Sequence, residues 1–340
     1  MKKTGVAMDG RESVNIPAWP FGASKAFLRD PAANIVIILL IVQLVCIVAG
    51  MLWPDDFRYL SALNMKTLLR SIPQIGFIAI GVGILMIAGE FDLSVGATFT
   101  ISSLTLAMLH GAGIPVALCV LAALSLGAAI GLVNGFLSLR FAIPSFIVTL
   151  GTMMILRGAI LFVSGTATIP FRPAPWFDML LTGEIGFMQA QFIWLVAFTL
   201  GAWALLSRHR IGNHLYAVGG NRAAANAIGV EVLRTKLFAF AAAGVMAAVS
   251  GIVSTTRVSS VSPIQGQGLE LQAIAACVIG GLALTGGRGS ALGIFAGAFL
   301  IYTVQNVLLL VGAPGYYLEA FIGMVLVAAV IANGIMNKRA

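Results

Sequence analysis

The sequence predicts an all-α, polytopic membrane protein of about ten transmembrane helices, and three observations predict it. Of 340 residues, 59% are hydrophobic and 9% charged, against roughly 25% charged in soluble chains. Mean hydropathy is +1.01. Apolar stretches long enough to cross a bilayer, roughly 20 residues each, recur along the whole chain. This composition excludes a soluble enzyme, a nucleic-acid module and a disordered scaffold. The net charge of +8 is read as loop charge that orients a membrane protein, with no nucleic-acid partner.

The apolar stretches fall near 35–53, 71–89, 93–109, 115–138, 144–163, 190–207, 237–256, 270–285, 290–311 and 317–335. They define one membrane domain over 34–336, preceded by a polar tail, 1–33, and followed by a short end, 337–340. The first apolar run starts late, is full length and ends at Trp53-Pro54, so it is expected to be a retained span. With the N-terminus inside, the cytoplasmic side receives Lys2, Lys3, Arg11, Lys25, Arg29, Arg140, Arg208, Arg210, Arg222, Arg234, Lys236, Arg288, Lys338 and Arg339. The outside receives Arg58, Lys66, Arg70, Arg172 and Arg257. That asymmetry follows the positive-inside rule and puts both termini in the cytoplasm.

Ten spans divide five and five, and if the halves are internal copies, an odd number of spans in each would make them inverted ones. The runs G-E-F-D-L-S-V-G-A at 89–97 and G-L-E-L-Q-A-I-A at 268–275 each open a span with an acid followed by Leu. Gly127, Gly131 and Gly135 line one helical face, as do Gly293 and Gly297. Such faces let backbones approach closely in lipid; packing within one subunit is expected before a dimer seam. The cysteines Cys46, Cys119 and Cys277 lie far apart in apolar runs and spell neither disulfides nor a metal site.

A few polar groups need a reason. Glu90 and Asp92 sit in the short gap between the second and third spans, where a carboxylate is costly. A proton relay, a substrate contact and helix-cap anchoring all suit them, and Asp92 with Ser94 suits capping best. Arg157 lies inside the fifth span beside Gly158, placed either to snorkel outward or to meet a carboxylate or the pathway. The run R-V-S-S-V-S-P-I-Q-G-Q-G-L-E at 257–270 brings Arg257, Gln267 and Glu270 to the outside, with hydroxyls and amides that suit a polyhydroxylated solute and equally any exposed loop; alone it reads as a loop. The longest outside loop, 164–189, is a docking surface by its length, prolines and Trp176.

The cytoplasmic loop 208–236 is the most informative segment. Asn221 caps a two-turn helix over 222–228 and Gly229 ends it, while Gly219 and Gly220 let the chain turn tightly beforehand. Two turns are marginal alone in water, so this helix needs a surface to rest on, and the alanines Ala223, Ala224 and Ala225 give it a narrow face. His209 and His214 have no acid or Cys company, so no metal site is expected. The chain lacks G-x-x-x-x-G-K-[ST], H-E-x-x-H and G-x-S-x-G, so no catalytic site is expected in it.

Together these segments resemble the membrane permease subunit of bacterial carbohydrate ABC importers, the branch with ribose, xylose, arabinose and galactoside systems. The resemblance covers the chain from about residue 35. It is carried by F-D-L-S-V-G (91–96), N-G-F-L (134–137, with Asn134), I-P-S-F-I-V-T-L-G-T-M (143–153), L-R-G (156–158), Y-A-V-G-G-N-R-A-A-A-N-A-I-G-V (216–230, from Tyr216), the run to Leu271, and I-G-G-L-A-L-T-G-G-R-G (279–289). It implies an inner-membrane permease paired with a second copy or paralogue, two ATP-binding subunits that hold ATP–Mg, and an extracytoplasmic sugar-binding protein. It also implies that 216–230 touches the ATPase. Glu90 stands where many relatives have Gly, and Gln272 where some have Asp, so the substrate does not carry over: ribose, a hexose, a sugar alcohol and a furanone-type signal stay open. The other readings are an ion-coupled secondary transporter using Glu90, Asp92 and Arg157, or a scaffold or channel.

Overall fold

The computed structural model describes residues 31–337; the tail charges Lys2, Lys3, Arg11, Lys25 and Arg29 and the terminal Lys338 and Arg339 lie outside the described residues. Thirteen helices occur among them. In chain order these are α1 Pro31–Leu52, α2 Ala62–Ile87, α3 Val95–Gly111, α4 Val116–Phe141, α5 Ser145–Ser164, α6 Pro175–Thr182, α7 Ala190–Arg208, α8 Arg210–Gly220, α9 Arg222–Ala227, α10 Val232–Val258, α11 Leu269–Ile279, α12 Ala291–Leu310 and α13 Tyr316–Asn337. Four two-residue strands make two small antiparallel pairs: β1 Ile169–Pro170 with β4 Ser260–Val261, and β2 Glu184–Ile185 with β3 Met188–Gln189.

Seven helices, α1, α2, α4, α5, α7, α10 and α12, are long and apolar enough to cross a membrane. The other three expected spans are the shorter apolar helices α3, α11 and, over Tyr316–Ala328, α13. The expected span over 270–285 is the clearest departure. Helix α11 has 11 residues, roughly 16 Å at 1.5 Å per residue, about half a bilayer core. It stops at Gly280 because Gly281, Gly286 and Gly287 all take positive φ, a conformation open to glycine and closed to helix.

The core is built on α2 and α10, the most buried of the long helices. They pack together at Gly81, where a Cβ would sit 2.9 Å from the Ala243 Cα. The Gly127–Gly131–Gly135 face of α4 meets α10 at the Gly244 and Phe240 carbonyls and the Phe240 ring. Gly293 and Gly297 of α12 close in the same way on the Gly280 and Ala276 carbonyls. Both glycine faces therefore pack inside this chain, where van der Waals contact replaces the hydrophobic drive.

Contacts sort the chain into two ends. At one end lie α8, α9, the exit of α2, the start of α5 and the α11–α12 connection. At the other, β1 pairs with β4, and the Asn64 and Asn306 amides exchange hydrogen bonds of 3.2 and 2.7 Å between α2 and α12.

Candidate functional site

Between the two ends, α3 and α11 begin in the interior, with Asp92, Ser94, Leu269 and Glu270 all buried. The chain leaves α2 at Gly89, with φ +77°, and runs without helix through Glu90–Leu93 before α3 begins. Backbone N–H groups in such a run need partners at membrane depth, and α5 supplies them. Phe91 N–H donates to Ser145 Oγ and Leu93 N–H to Thr149 Oγ1, each at 3.1 Å. Four residues of helix rise about 6 Å and two residues of extended chain about 6.6 Å. Hydroxyls four apart on α5 therefore stand in for a neighbouring strand.

Asp92, 1% exposed, anchors the turn into α3. Its Oδ1 accepts from Ser94 N–H at 2.7 Å and from the Ser94 hydroxyl at 2.6 Å. Asn134 Nδ2 donates to Ser94 Oγ at 2.9 Å, and Thr152 donates to Asn134 Oδ1 at 2.7 Å. The sequence had Ser94 joining Asp92 as a helix cap. Ser94 precedes α3 but its side chain makes no cap bond to the helix, because its hydroxyl already serves Asp92 and Asn134.

The start of α3 meets the start of α11. A Cβ at Gly96 would overlap the Gly266 carbonyl and Glu270 Oε2, and one at Gly266 would overlap the Gly96 carbonyl and Thr100 Oγ1. One turn further along α3, the Phe99 carbonyl lies against Gly251, 19 residues or roughly 28 Å into α10. Glu270, 6% exposed, sits in the first turn of α11 and beside the first turn of α3, and both helix dipoles favour its negative charge there. Arg157 Nη2 reaches it from α5 at 2.8 Å. Glu270 Oε2 is left without a hydrogen-bond partner. Asp92, Asn134, Arg157 and Glu270 thus gather where two broken helices converge, with α5 as the common post.

The other candidates are elsewhere. Glu90 lies at the α8–α9 end, paired with Lys236 of α10, and both are largely buried. By sequence Lys236 is only a loop charge, and a Lys five residues into an apolar helix carries no pattern that betrays a distant acid. At the opposite end, Arg257 donates to Ser71 Oγ and Gln74 Oε1, each at 3.0 Å. Gln267 is exposed in the turn before α11.

The loop after α7 folds as two helices. His209 caps α8 through the Ile211 N–H, 3.2 Å. Asn221 Oδ1 accepts from Ala224 N–H at 3.0 Å and starts α9, and Gly229 follows it with φ +86°. Gly219 and Gly220 differ from expectation. They close the last turn of α8 instead of forming a tight turn, and their bareness serves contact: a Cβ at Gly219 would overlap the Ile87 carbonyl. Ala225 packs inward with Val218, Val230 and Val232, while Ala223 and Ala224 are exposed. Beside them a groove of about 640 Å³ is lined by Arg222, Ala223, Asn226, Glu231, Val232, Leu233 and Arg234. Tyr216 donates to the Gly289 carbonyl at 2.8 Å, and burial pushes its phenol up.

At the opposite end, loop 164–189 holds α6 and the β2–β3 hairpin, with Trp176, Met179, Ile185 and Phe187 exposed. The hydrogen bond from Lys66, at 2.7 Å, with help from Gln189 and Arg70, holds the Glu184 carboxyl below the usual carboxylate range. A carboxyl lowered by folding stabilises above its unfolded value and stops doing so as pH falls through its folded value. The clamp on the hairpin should therefore hold at pH 7 and open in acid, once pH has fallen beneath the ordinary carboxylate range. Hydrogen exchange over 184–189, corrected for intrinsic rates, should rise in acid, and Glu184→Gln should show the raised exchange already at pH 7.

The family model for "branched-chain amino acid transport system / permease component" matches residues 64–330. The autoinducer 2 import system permease protein LsrC of Enterobacter sp. (strain 638) is 34% identical over 289 residues, 85% of this chain and 84% of that one. The LsrC proteins of Salmonella choleraesuis (strain SC-B67) and Yersinia enterocolitica are each 33% identical, over 82% of this chain and 80% and 77% of theirs. No solved structure matches significantly.

Proposed function

The chain belongs to the family of transport-system permease components, and from that premise we propose that it forms the membrane pathway of an ATP-driven importer for a small polyhydroxylated solute. The resemblance to permeases of the ribose, xylose and galactoside branch holds over most of the chain. A partner subunit binds ATP–Mg and hydrolyses it; this chain holds no cofactor. A binding protein delivers the solute to the outside, and a second permease, copy or paralogue, completes the pathway from the bilayer's point of view. We place 34–336 as one domain, with the α8–α9 end and both termini in the cytoplasm, in line with the charge count.

The observation that carries this reading is the pair α8–α9: a small two-helix element, capped at both starts, exposing Ala223, Ala224 and a groove on its outer side. An ion-coupled carrier needs its titratable groups in one relay. Here Glu90 closes on Lys236, Asp92 on Ser94 and Asn134, and Arg157 on Glu270. The likeness of α2–α3 to α10–α11, each a long buried helix followed by an irregular stretch and a short helix, supports two inverted five-helix halves.

For the solute, autoinducer 2, which the LsrC relatives are named for importing, stands first, ahead of ribose. The interior pair Arg157–Glu270 neutralises itself, which suits an uncharged, hydroxylated cargo. Solubilised in mild detergent, the tagged chain should purify with an ATP-binding subunit and a second permease. A chain that purifies alone and still transports contradicts the proposal.

A further inference from the structure

At the α8–α9 end, three backbones meet with no side chain between them. Gly219 in the last turn of α8 lies on the Ile87 carbonyl, where α2 ends. Gly287 N–H, from the α11–α12 connection, donates to that same carbonyl at 2.9 Å. A Cβ at Gly287 would fall 2.6 Å from the Gly220 Cα, and one at Gly286 would fall 2.7 Å from the Gly89 Cα. Packed backbone of this kind transmits a push instead of absorbing it. From this junction one stretch, Glu90–Ser94, leads to the start of α3, and the other leads back through Gly280 to α11.

The ion pair of Lys236 and Glu90 spans the same end. Lys236 is in the second turn of α10, directly after α9, and Glu90 opens the stretch that leads to α3. Their side chains are 7% and 13% exposed, so their attraction is little screened by water.

We propose that Lys236 and Glu90 are positioning residues for coupling: their ion pair is the strut by which displacement of α8–α9 drags the 90–94 stretch, and with it the start of α3 against the start of α11. The glycine junction supplies the fulcrum. This rests on the reading of α8–α9 as the ATPase-docking element. A merely structural pair would hold the same helices together without passing on any motion, and the two roles separate experimentally.

The test uses the complex with its ATP-binding subunit in vesicles, carrying Leu271→Cys as a reporter. Leu271 is exposed in the first turn of α11, and the native Cys46, Cys119 and Cys277 are buried. Labelling by a membrane-impermeant maleimide is timed without nucleotide and after trapping with ATP–Mg and vanadate. The reporter complex should change its labelling rate on trapping. Lys236→Met and Glu90→Gln should each lose that change while the ATPase stays bound and hydrolyses ATP, and the swap Glu90→Lys with Lys236→Glu should restore it. Single variants that keep the full change overturn the strut, and so does loss in the swap as well, which marks disturbed packing. A reporter complex that binds its ATPase but shows no change on trapping overturns the strut while leaving docking intact. Failure to bind the ATPase at all overturns the docking reading, and the strut with it.

Discussion

Arg157→Gln should lower folded protein recovered from membranes severalfold and leave solute preference unchanged. The variant strands the Glu270 carboxylate, 6% exposed, against the Gly96 backbone with no counter-ion. Removing one partner of a buried pair costs about 3–5 kcal/mol; Arg157 is a third exposed, which puts this case at the low end. The two helix dipoles at α3 and α11 offset part of it, typically under about 1 kcal/mol each. Adding Glu270→Gln removes the stranded charge, so the double variant should recover most of the lost protein. Size-exclusion thermostability of the single and double variants measures the effect. A clean shift in solute preference at normal protein level would instead make Arg157 a substrate contact.

Ala224→Glu should leave the chain inserted and folded while releasing the ATP-binding subunit or uncoupling its hydrolysis from uptake. Ala224 is exposed on α9 and beside the groove, so a glutamate there disturbs nothing within the chain. In a docked interface a buried charge without a partner typically costs about 2 kcal/mol or more, roughly thirtyfold in affinity. Ala225→Glu is the contrasting variant: Ala225 is 2% exposed among Val218, Val230 and Val232, and the charge should unfold α9 itself. Co-purification of the ATPase reads the first case, and protease sensitivity of 208–236 the second. An Ala224→Glu chain that assembles and transports like the parent removes α9 from the coupling path.

The residues differ in how much they announced of this arrangement. Asn221, the alanines and Gly229 spelled out α9 because capping and left-handed termination act within a few residues. The glycine faces of α4 and α12 were visible through their spacing, though not the helices they meet. Gly219 and Gly220 misled: glycines mark turns and backbone contacts alike, and only the distant Ile87 carbonyl decides between them. The apolar run at 270–285 concealed a short helix, because hydropathy is blind to the positive φ of Gly281, Gly286 and Gly287. The partners of Glu90 and Arg157 lie 146 and 113 residues away, beyond any local pattern. The acid-Leu echo at 92–93 and 270–271 did point to the two helix starts that converge, since each acid sits where a short helix begins.

The most direct measurement is solute accumulation in proteoliposomes holding the proposed permease pair, its ATP-binding subunit and its solute-binding protein, with labelled autoinducer 2 and ribose as probes. Accumulation should require ATP inside the subunit's compartment, vanish when that subunit is omitted, and survive collapse of the proton and sodium gradients. Concentrative uptake driven by a pH or sodium gradient without the ATP-binding subunit would contradict the account.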